Sequence, residues 1–299
     1  MQQTIPQEEI RLKRYLNEQD ITDIHLLQDI CYAYDHVNLK LELEYRRELE
    51  KVNSGLEHID EFLYYADGKL VSYLSISCFG GRIGEITGMT HPDWRRRGIF
   101  TRLFRLAKAE AEIRNYRKIL LLADHKSESG AAFIRSIEAI YDFSEYHMTL
   151  PKIEAGSGKN PVSLRKSEPK DRKEIRRQDI IYFEDDVEEA DEDTGSFGSI
   201  SDPTYMVEFD GKTVGKIRIE FYEVSAYLLG FGILPEYRGR GLGRAALREA
   251  LCLLTDQGIK KAELDVVATN ANALNLYKSV GFMEDSVMDY YCIESSKLD

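Results

Sequence analysis

The chain repeats itself at a fixed distance. Pro235, Arg238 and Gly241 each have a counterpart 143 residues earlier, in Pro92, Arg95 and Gly98. The same shift carries Asp210-Gly211-Lys212 onto Asp67-Gly68-Lys69 and Leu264 onto Leu121. An offset held without a gap over such a stretch implies two copies of one fold, and duplication of a domain is its simplest cause. Upstream the shift lengthens to 150, where Asn17-Glu-Gln-Asp matches Ser167-Glu-Pro-Lys as a helix-start signal. A length of 299 residues suits two domains. The Gly/Pro/Ser-rich stretch at 151–161 separates them, so the expected boundaries are 1–150, a linker at 151–161, and 162–299.

Within each half, strands alternate with helices. This pattern argues an α/β class with α+β layering, in which a mixed central sheet carries flanking helices. In the first half it predicts strands at 61–65 and 71–78 around an Asp-Gly turn, then a strand at 84–90, a helix to about 115, and a strand at 118–123. In the second half the apolar run at 227–234 leads into Pro-Glu-Tyr-Arg-Gly-Arg-Gly-Leu-Gly-Arg, residues 235–244. After it Leu242, Ala245, Ala246, Ala250, Leu251 and Leu254 recur at helical spacing. Glycines at a strand-to-helix junction leave backbone N–H groups bare, and the helix start adds about half a positive charge. With Arg238, Arg240 and Arg244 nearby, the junction is a cradle for a phosphate or pyrophosphate. It is not a nucleoside-triphosphate loop, because Arg244-Ala245 stands where Lys-Ser or Lys-Thr is needed. It also fails the dinucleotide fingerprint, whose last glycine would fall on Arg244.

Arg238-x-x-Gly241-x-Gly243 resembles the pyrophosphate-binding signature of the GNAT superfamily of acyl-coenzyme A N-acyltransferases. Downstream, Asn270-x-x-Ala273-x-x-Leu276-Tyr277-x-x-x-Gly281-Phe282 resembles that superfamily's other conserved block. Residues 162–299 are similar to one whole domain of this type, and the tandem organisation is similar to that of the mycothiol synthase group. The resemblance implies acetyl-coenzyme A as donor, held by Ile233, Leu234, Arg238, Gly239, Arg240, Gly241, Leu242, Gly243, Arg244 and Asn270. It implies pantetheine pairing along a fourth strand that parts from the fifth, with Tyr277 protonating the departing thiolate. Gly230 and Gly232 on that strand suit a bulge or a close backbone approach. The reaction implied is direct attack of a primary amine in the second domain.

The first half departs from the pattern. Phe100 stands for Gly243, Ser127, Gly130 and Ile134 for Asn270, Ala273 and Tyr277, and Glu138-Ala139 for Gly281-Phe282. It keeps Arg95-Arg96-Arg97-Gly98, which still suits an anion, so the better-preserved cofactor site is expected in the second half. The general base stays open among Glu85, Glu220, Glu223, Asp265 and Tyr227. A non-catalytic acyl-coenzyme A sensor, or transfer to a hydroxyl or thiol, stays open as well.

A formal charge of −12 argues against a nucleic-acid partner. With no leader-like start, no membrane-length apolar run and no C-x-x-C pair, the expectation is a cytoplasmic protein away from membranes. The six histidines show no i,i+4 pair, so no metal site is expected. Eight of the ten residues at 184–193 are acidic, which suits either a solvated loop or a lip that draws a small cationic amine.

Overall fold

The computed structural model describes residues 7–43, 46, 58–78, 83–153, 160–183 and 203–293. They form two compact units, Met1–Phe143 with Met288–Asp299, and Ser144–Val287.

The first unit opens with β1 (Glu8–Lys13) and α1 (Glu18–Asp35). Asn17 starts α1 through a capping box: its side chain accepts from Asp20 N–H at 2.9 Å, while the Asp20 carboxylate accepts from Asn17 N–H at 2.9 Å. β2 (Glu61–Ala66) and β3 (Lys69–Ser77) follow as a hairpin, and β4 (Ile83–Thr90) runs back beside β3. Asp67 and Gly68 at its turn both take positive φ, 48° and 75°, as a two-residue hairpin requires. The first repeat continues with α2 (Ile99–Ile113), β5 (Lys118–Asp124), α3 (Glu128–Ser136) and β6 (Ile140–Leu150). The second repeat runs β7 (Ser163–Lys166), α4 (Arg172–Phe183), β8 (Thr204–Phe209), β9 (Lys212–Phe221), β10 (Ser225–Ile233), α5 (Leu242–Asp256), β11 (Lys261–Val267), α6 (Ala271–Lys278) and β12 (Met283–Ile293). Its α4 is preceded by a capping box on Glu168 and Asp171, one residue beyond the Ser167 signal.

Each sheet is mixed. The strand order is β1-β2-β3-β4-β5-β12 in the first unit and β6-β11-β10-β9-β8-β7 in the second. Among the described residues β4–β5 and β10–β11 pair in parallel, and each of these pairs is joined through a helix, as a parallel crossover demands. The strand that ends each repeat in sequence therefore completes the sheet of the other. Leu150 lies opposite Ala262, and Ile293 opposite Ile119. The sequence-based boundaries at 150 and 162 do not anticipate this exchange, because they follow the linker composition.

The repeat extends to the backbone. Shifted by 143 residues, β2 falls on β8, α2 on α5, β5 on β11 and β6 on β12. Left-handed residues match too: Arg96 with Gly239, Gly98 with Gly241, and Glu138 with Gly281.

The cores differ in one compensated exchange. In the second unit Phe231 on β10 packs toward Gly243 on α5, whose added Cβ would lie 3.9 Å from the ring and 3.2 Å from Leu276. In the first unit the large residue is on the helix. Phe100 stacks edge-on against Phe133 at 4.8 Å, and Gly88 on β4 makes room for it. Phe100 is thus the other solution to one packing problem. A Cβ at Gly88 would sit 2.9 Å from both Phe100 and the Leu74 backbone, and would overlap the Tyr73 carbonyl. Gly88→Ala is expected to destabilise the first unit by about 1–3 kcal/mol, and Gly243→Ala by clearly less. Urea denaturation of the two variants checks the order, and equal losses would refute the exchange.

Candidate functional site

In both units the central parallel strands pair only at their beginnings. β10 meets β11 at Ser225, Ala226 and Tyr227, opposite Lys261, Ala262 and Glu263, after which the two run on unpaired. β4 meets β5 from Ile83 to Ile86 and then parts likewise. Each sheet so contains a wedge that opens toward the helix start of α2 or α5.

The wedges are not alike. β10 shifts register against β9 between Leu229 and Gly232, and Gly230 takes φ 56°. Such a bulge takes backbone groups out of the ladder and re-aims them. Lys216 holds it, with Nζ donating to the Gly230 carbonyl at 3.1 Å and pairing with Asp179 at 2.6 Å. Gly232 lies directly under the Tyr182 ring, and an added Cβ there would be 2.7 Å from the Tyr182 Cγ. β4 pairs regularly with β3 from Ser72 to Ser77 and has no bulge.

At the mouth of the second wedge, Gly239 and Gly241 both have φ 76°, and a Cβ on either would meet nothing within 4 Å. Gly241 N-caps α5 without a side-chain bond, so the first-turn N–H groups face outward without an intrahelical acceptor. Leu242 is buried against Ile233, Ala245 and Ala246, which fixes the helix start to the strand. Leu234 is also buried, and its N–H donates to the Val214 carbonyl at 2.9 Å.

The arginines divide. Arg238 turns back, donating from Nε to the Ile233 carbonyl at 2.8 Å, and Arg95 does the same to Thr90 at 3.0 Å. Both therefore brace the strand-to-helix turn. Arg240 lies over the Tyr237 ring at 5.5 Å, as Arg97 lies over Trp94 at 4.7 Å. Arg244 donates to Ser279 Oγ at 2.9 Å, tying α5 to the end of α6. Asn270 caps α6, its side chain accepting from Ala273 N–H at 3.1 Å, and Ser127 caps α3 in the same way. The cap is thus a role shared by both repeats.

Tyr277 has no hydroxyl counterpart in the first unit, where Ile134 stands at its position. It is buried in the core below the wedge, its ring 6.4 Å from Phe231 and 6.1 Å from Phe282. Burial pushes its hydroxyl up to about 12, so it stays protonated throughout the neutral range.

The first wedge holds a cavity of about 480 Å³. Thr87 and Thr90 on β4, Asp124 on β5, Gly98 at the α2 N-cap, Phe100 on α2, and Ser127 at the α3 cap are among its lining residues. Asp35 lines it too, one carboxylate oxygen bonded to Arg95 at 2.7 Å and the other buried without a hydrogen-bond partner.

Of the carboxylates weighed as a base, Glu85 pairs across β4–β5 with Leu120, and Glu220 bonds Arg218 at 3.3 Å and Tyr222 at 3.2 Å. Asp265 has a partner that sequence reading missed. His147, on β6, lies opposite it on β11, with Nδ1 2.9 Å from the Asp265 Oδ1. The Tyr227 ring is stacked 6.2 Å from the imidazole. A search for histidines spaced along one helix cannot find a pair that a strand exchange creates. The acidic stretch at 184–193 lies outside the described residues. Among the described residues no group of three or more His, Cys, Asp or Glu side chains is placed to hold a metal ion, and no helix is long and apolar enough to cross a membrane.

Known proteins match this architecture. The model of the Acetyltransferase (GNAT) family matches twice, at residues 23–135 and 169–282. The chain is 38% identical over 66 residues to the ribosomal protein bS18-alanine N-acetyltransferase of Escherichia coli (strain K12), a match covering 22% of this chain and 45% of that protein. It is 34% identical over 91 residues to the mycothiol acetyltransferase of Clavibacter michiganensis, covering 29% of each. These matches span about half or less of the relatives' lengths. Two solved structures share the fold over nearly the whole chain. A GCN5-related N-acetyltransferase from Sphaerobacter thermophilus aligns with a TM-score of 0.72 at 17% identity, covering 96% of this chain and 95% of that one. A tandem GNAT protein from the clavulanic acid biosynthesis pathway aligns at 0.67 and 14%, covering 96% and 98%.

Proposed function

Because the chain belongs to the Acetyltransferase (GNAT) family, we propose that its second unit transfers an acetyl group from acetyl-coenzyme A to a primary amine by direct attack. The observation that carries this reading is the bulge at Gly230, on a parted strand that ends at an uncapped helix start and lies near Tyr277. The first unit has neither the bulge nor the tyrosine.

In this reading the N–H groups of residues 239–244 hold the pyrophosphate, helped by the helix dipole. The unpaired edge of β10 hydrogen-bonds the pantetheine arm. A backbone N–H freed by the bulge polarises the thioester carbonyl and stabilises the oxyanion that forms on it. Tyr277 gives its proton to the departing sulfur. Arg238 and Asn270 contribute by holding the turn and the helix start in place. Ile233, Leu234 and Leu242 support them from the core.

The acceptor we propose is a small cationic amine. Its support is the acidic sequence at 184–193, together with relatives named for acetylating amines. Cys31, Cys78, Cys252 and Cys292 are not joined in disulfides, which suits a reducing, cytoplasmic setting. The first unit, with an open wedge and no tyrosine, supports a second role: acyl-coenzyme A binding without turnover.

Tyr277→Phe tests the assignment. A thiol with a reference pKa of about 8.5 leaves fairly well unaided, so the loss in turnover is at most the roughly 10²–10⁴-fold typical of general acid catalysis. Acetyl-coenzyme A affinity is expected to stay close to wild type, since only the hydroxyl is removed. Steady-state kinetics with an amine panel checks this. Unchanged turnover in an assay limited by chemistry would make Tyr277 a packing residue.

A further inference from the structure

Resting on the acetyl-transfer reading of the second unit, we infer that His147, oriented by Asp265, takes the proton from the attacking amine. Asp265 is two residues beyond Glu263, where β11 last pairs with β10. In parallel register the residue facing it would be Leu229, where the β10 bulge begins. The dyad thus flanks the open part of the wedge, on the β11 side, across from the bulge.

The face is equally telling. Leu264 and Val266 on β11, Met148 on β6 and Tyr277 share one buried cluster, and Asp265 and His147 alternate onto the other face. Acid and base therefore stand on opposite faces of the parted sheet. An amine arriving on the His147 face leaves the sulfur on the Tyr277 face.

The fold itself does not require this pair. Shifted by 143 residues, His147 falls on Tyr290 and Asp265 on Leu122, and these two share an apolar cluster with Phe143 stacked on Tyr290 at 4.4 Å. The first unit thus fills the same positions with a leucine and a tyrosine whose hydroxyl accepts from Lys40 Nζ at 3.0 Å, and it has no His–Asp pair there. His147 is about one-quarter exposed and Asp265 less so, which leaves the ring reachable.

The proton chemistry follows from the geometry. The Asp265 carboxylate only accepts, so Nδ1 carries the proton and Nε2 keeps its lone pair. The amine nitrogen forms a bond to the thioester carbon as the carbonyl electrons move onto oxygen. Nε2 takes the N–H proton, the carbonyl re-forms, and the C–S bond breaks. The sulfur takes the proton of Tyr277, which solvent restores, and imidazolium returns its proton to solvent. One amine and one thioester give one amide and one thiol.

The groups that share the ring's face are Asp265, Glu263 and Lys261 on β11, Tyr227 on β10 with Glu220 and Arg218 beyond it on β9, and Glu145 on its own strand. Both cations are paired with carboxylates, Arg218 with Glu220 at 3.3 Å and Lys261 with Glu263.

The test is the pH dependence of kcat/KM for wild type, His147→Gln and Asp265→Asn, with acetyl-coenzyme A and two probe acceptors, spermidine and an alanine-initiated peptide. Wild type is expected to lose activity as pH falls, because a protonated imidazole cannot take the amine's proton. His147→Gln loses that limb and falls by roughly 10²-fold or more at pH 7.5, with calorimetric acetyl-coenzyme A binding unchanged. Asp265→Asn keeps the limb but moves it to lower pH, because the charge favouring imidazolium is gone. A merely structural role would lower rates at every pH and leave the limb in place. A limb that survives in His147→Gln overturns the inference alone. Wild-type protein that binds acetyl-coenzyme A and acetylates neither probe overturns the acetyl-transfer reading, and the inference with it.

Discussion

Gly241→Asp is expected to abolish acetyl-coenzyme A binding in the second unit while leaving the fold intact. Gly241 has φ 76°, so any side chain there bears the left-handed penalty of about 1–2 kcal/mol. Nothing in the protein lies within 4 Å of the new Cβ, so the substitution does not disturb packing. The carboxylate would sit at the N-cap of α5, where it stabilises the helix and offsets part of that strain. The same placement destroys the anion site. A negative charge now occupies the position of the pyrophosphate and claims the N–H groups that would bind it. Hydrogen bonds to charged groups contribute about 1.5–3 kcal/mol each, so losing two weakens binding by roughly 10²–10⁴-fold.

Gly98→Asp is the control. Gly98 has φ 75°, open space around it and the equivalent N-cap position on α2. Its variant is expected to remove whatever anion binding the first wedge supports and to leave acetyl transfer in place. Calorimetric titration of both variants, followed by turnover assays, separates the units. Turnover lost in Gly98→Asp and kept in Gly241→Asp would show that the units have been assigned the wrong way round.

The parts of this molecule that were legible in the sequence are those set by local chemistry. The hairpin turn at Asp67-Gly68 needs two left-handed residues, and the pair announces itself. Asn17 and Asp20 cap α1 across three positions, which any reading of helix starts finds. The offset of 143 was visible because duplication preserved these same local signals. What was not legible depends on partners far apart in the chain. The exchange of β6 and β12 leaves no local trace, since each strand alternates as an ordinary edge strand would. With that exchange hidden, His147 and Asp265 were 118 residues apart and read as unrelated. Phe100 looked like a lost glycine because its complement, Gly88, lies on a different element. That Arg238 donates from Nε to the Ile233 carbonyl was hidden as well, since sequence spacing says nothing of the direction in which a guanidinium turns.

The largest expected effect on stability lies away from the proposed acetyl site, in the first unit. Arg46 and Glu61 are both almost fully buried, with Arg46 Nη1 at 2.6 Å from the Glu61 Oε1. The Tyr73 hydroxyl donates to the other Glu61 oxygen at 2.6 Å, Arg46 Nε donates to the Leu41 carbonyl at 2.9 Å, and Arg46 Nη2 donates to Ser77. Burial works against the Arg46 charge, but the attraction and hydrogen bond of Glu61 outweigh it and hold the guanidinium firmly protonated. Glu61→Ala would leave that cation buried without its counter-charge. Breaking one side of such a pair costs about 3–5 kcal/mol, which for a unit of this size lowers Tm by on the order of 10 °C. Replacing both partners, as Arg46→Met with Glu61→Leu, is expected to come close to neutral, because the desolvation of two charges disappears along with their attraction. The positions that match Glu61, Tyr73 and Ser77 in the second repeat are Thr204, Lys216 and Glu220, so that unit lacks the network. Calorimetric melting of the single and double variants therefore decides two points together. The single variant should lower the melting of the first unit, and the double should recover most of the loss. A single variant that melts within about 2 °C of wild type, under 1 kcal/mol at this size, would mean that water already reaches Arg46 and the pair is not a buried one.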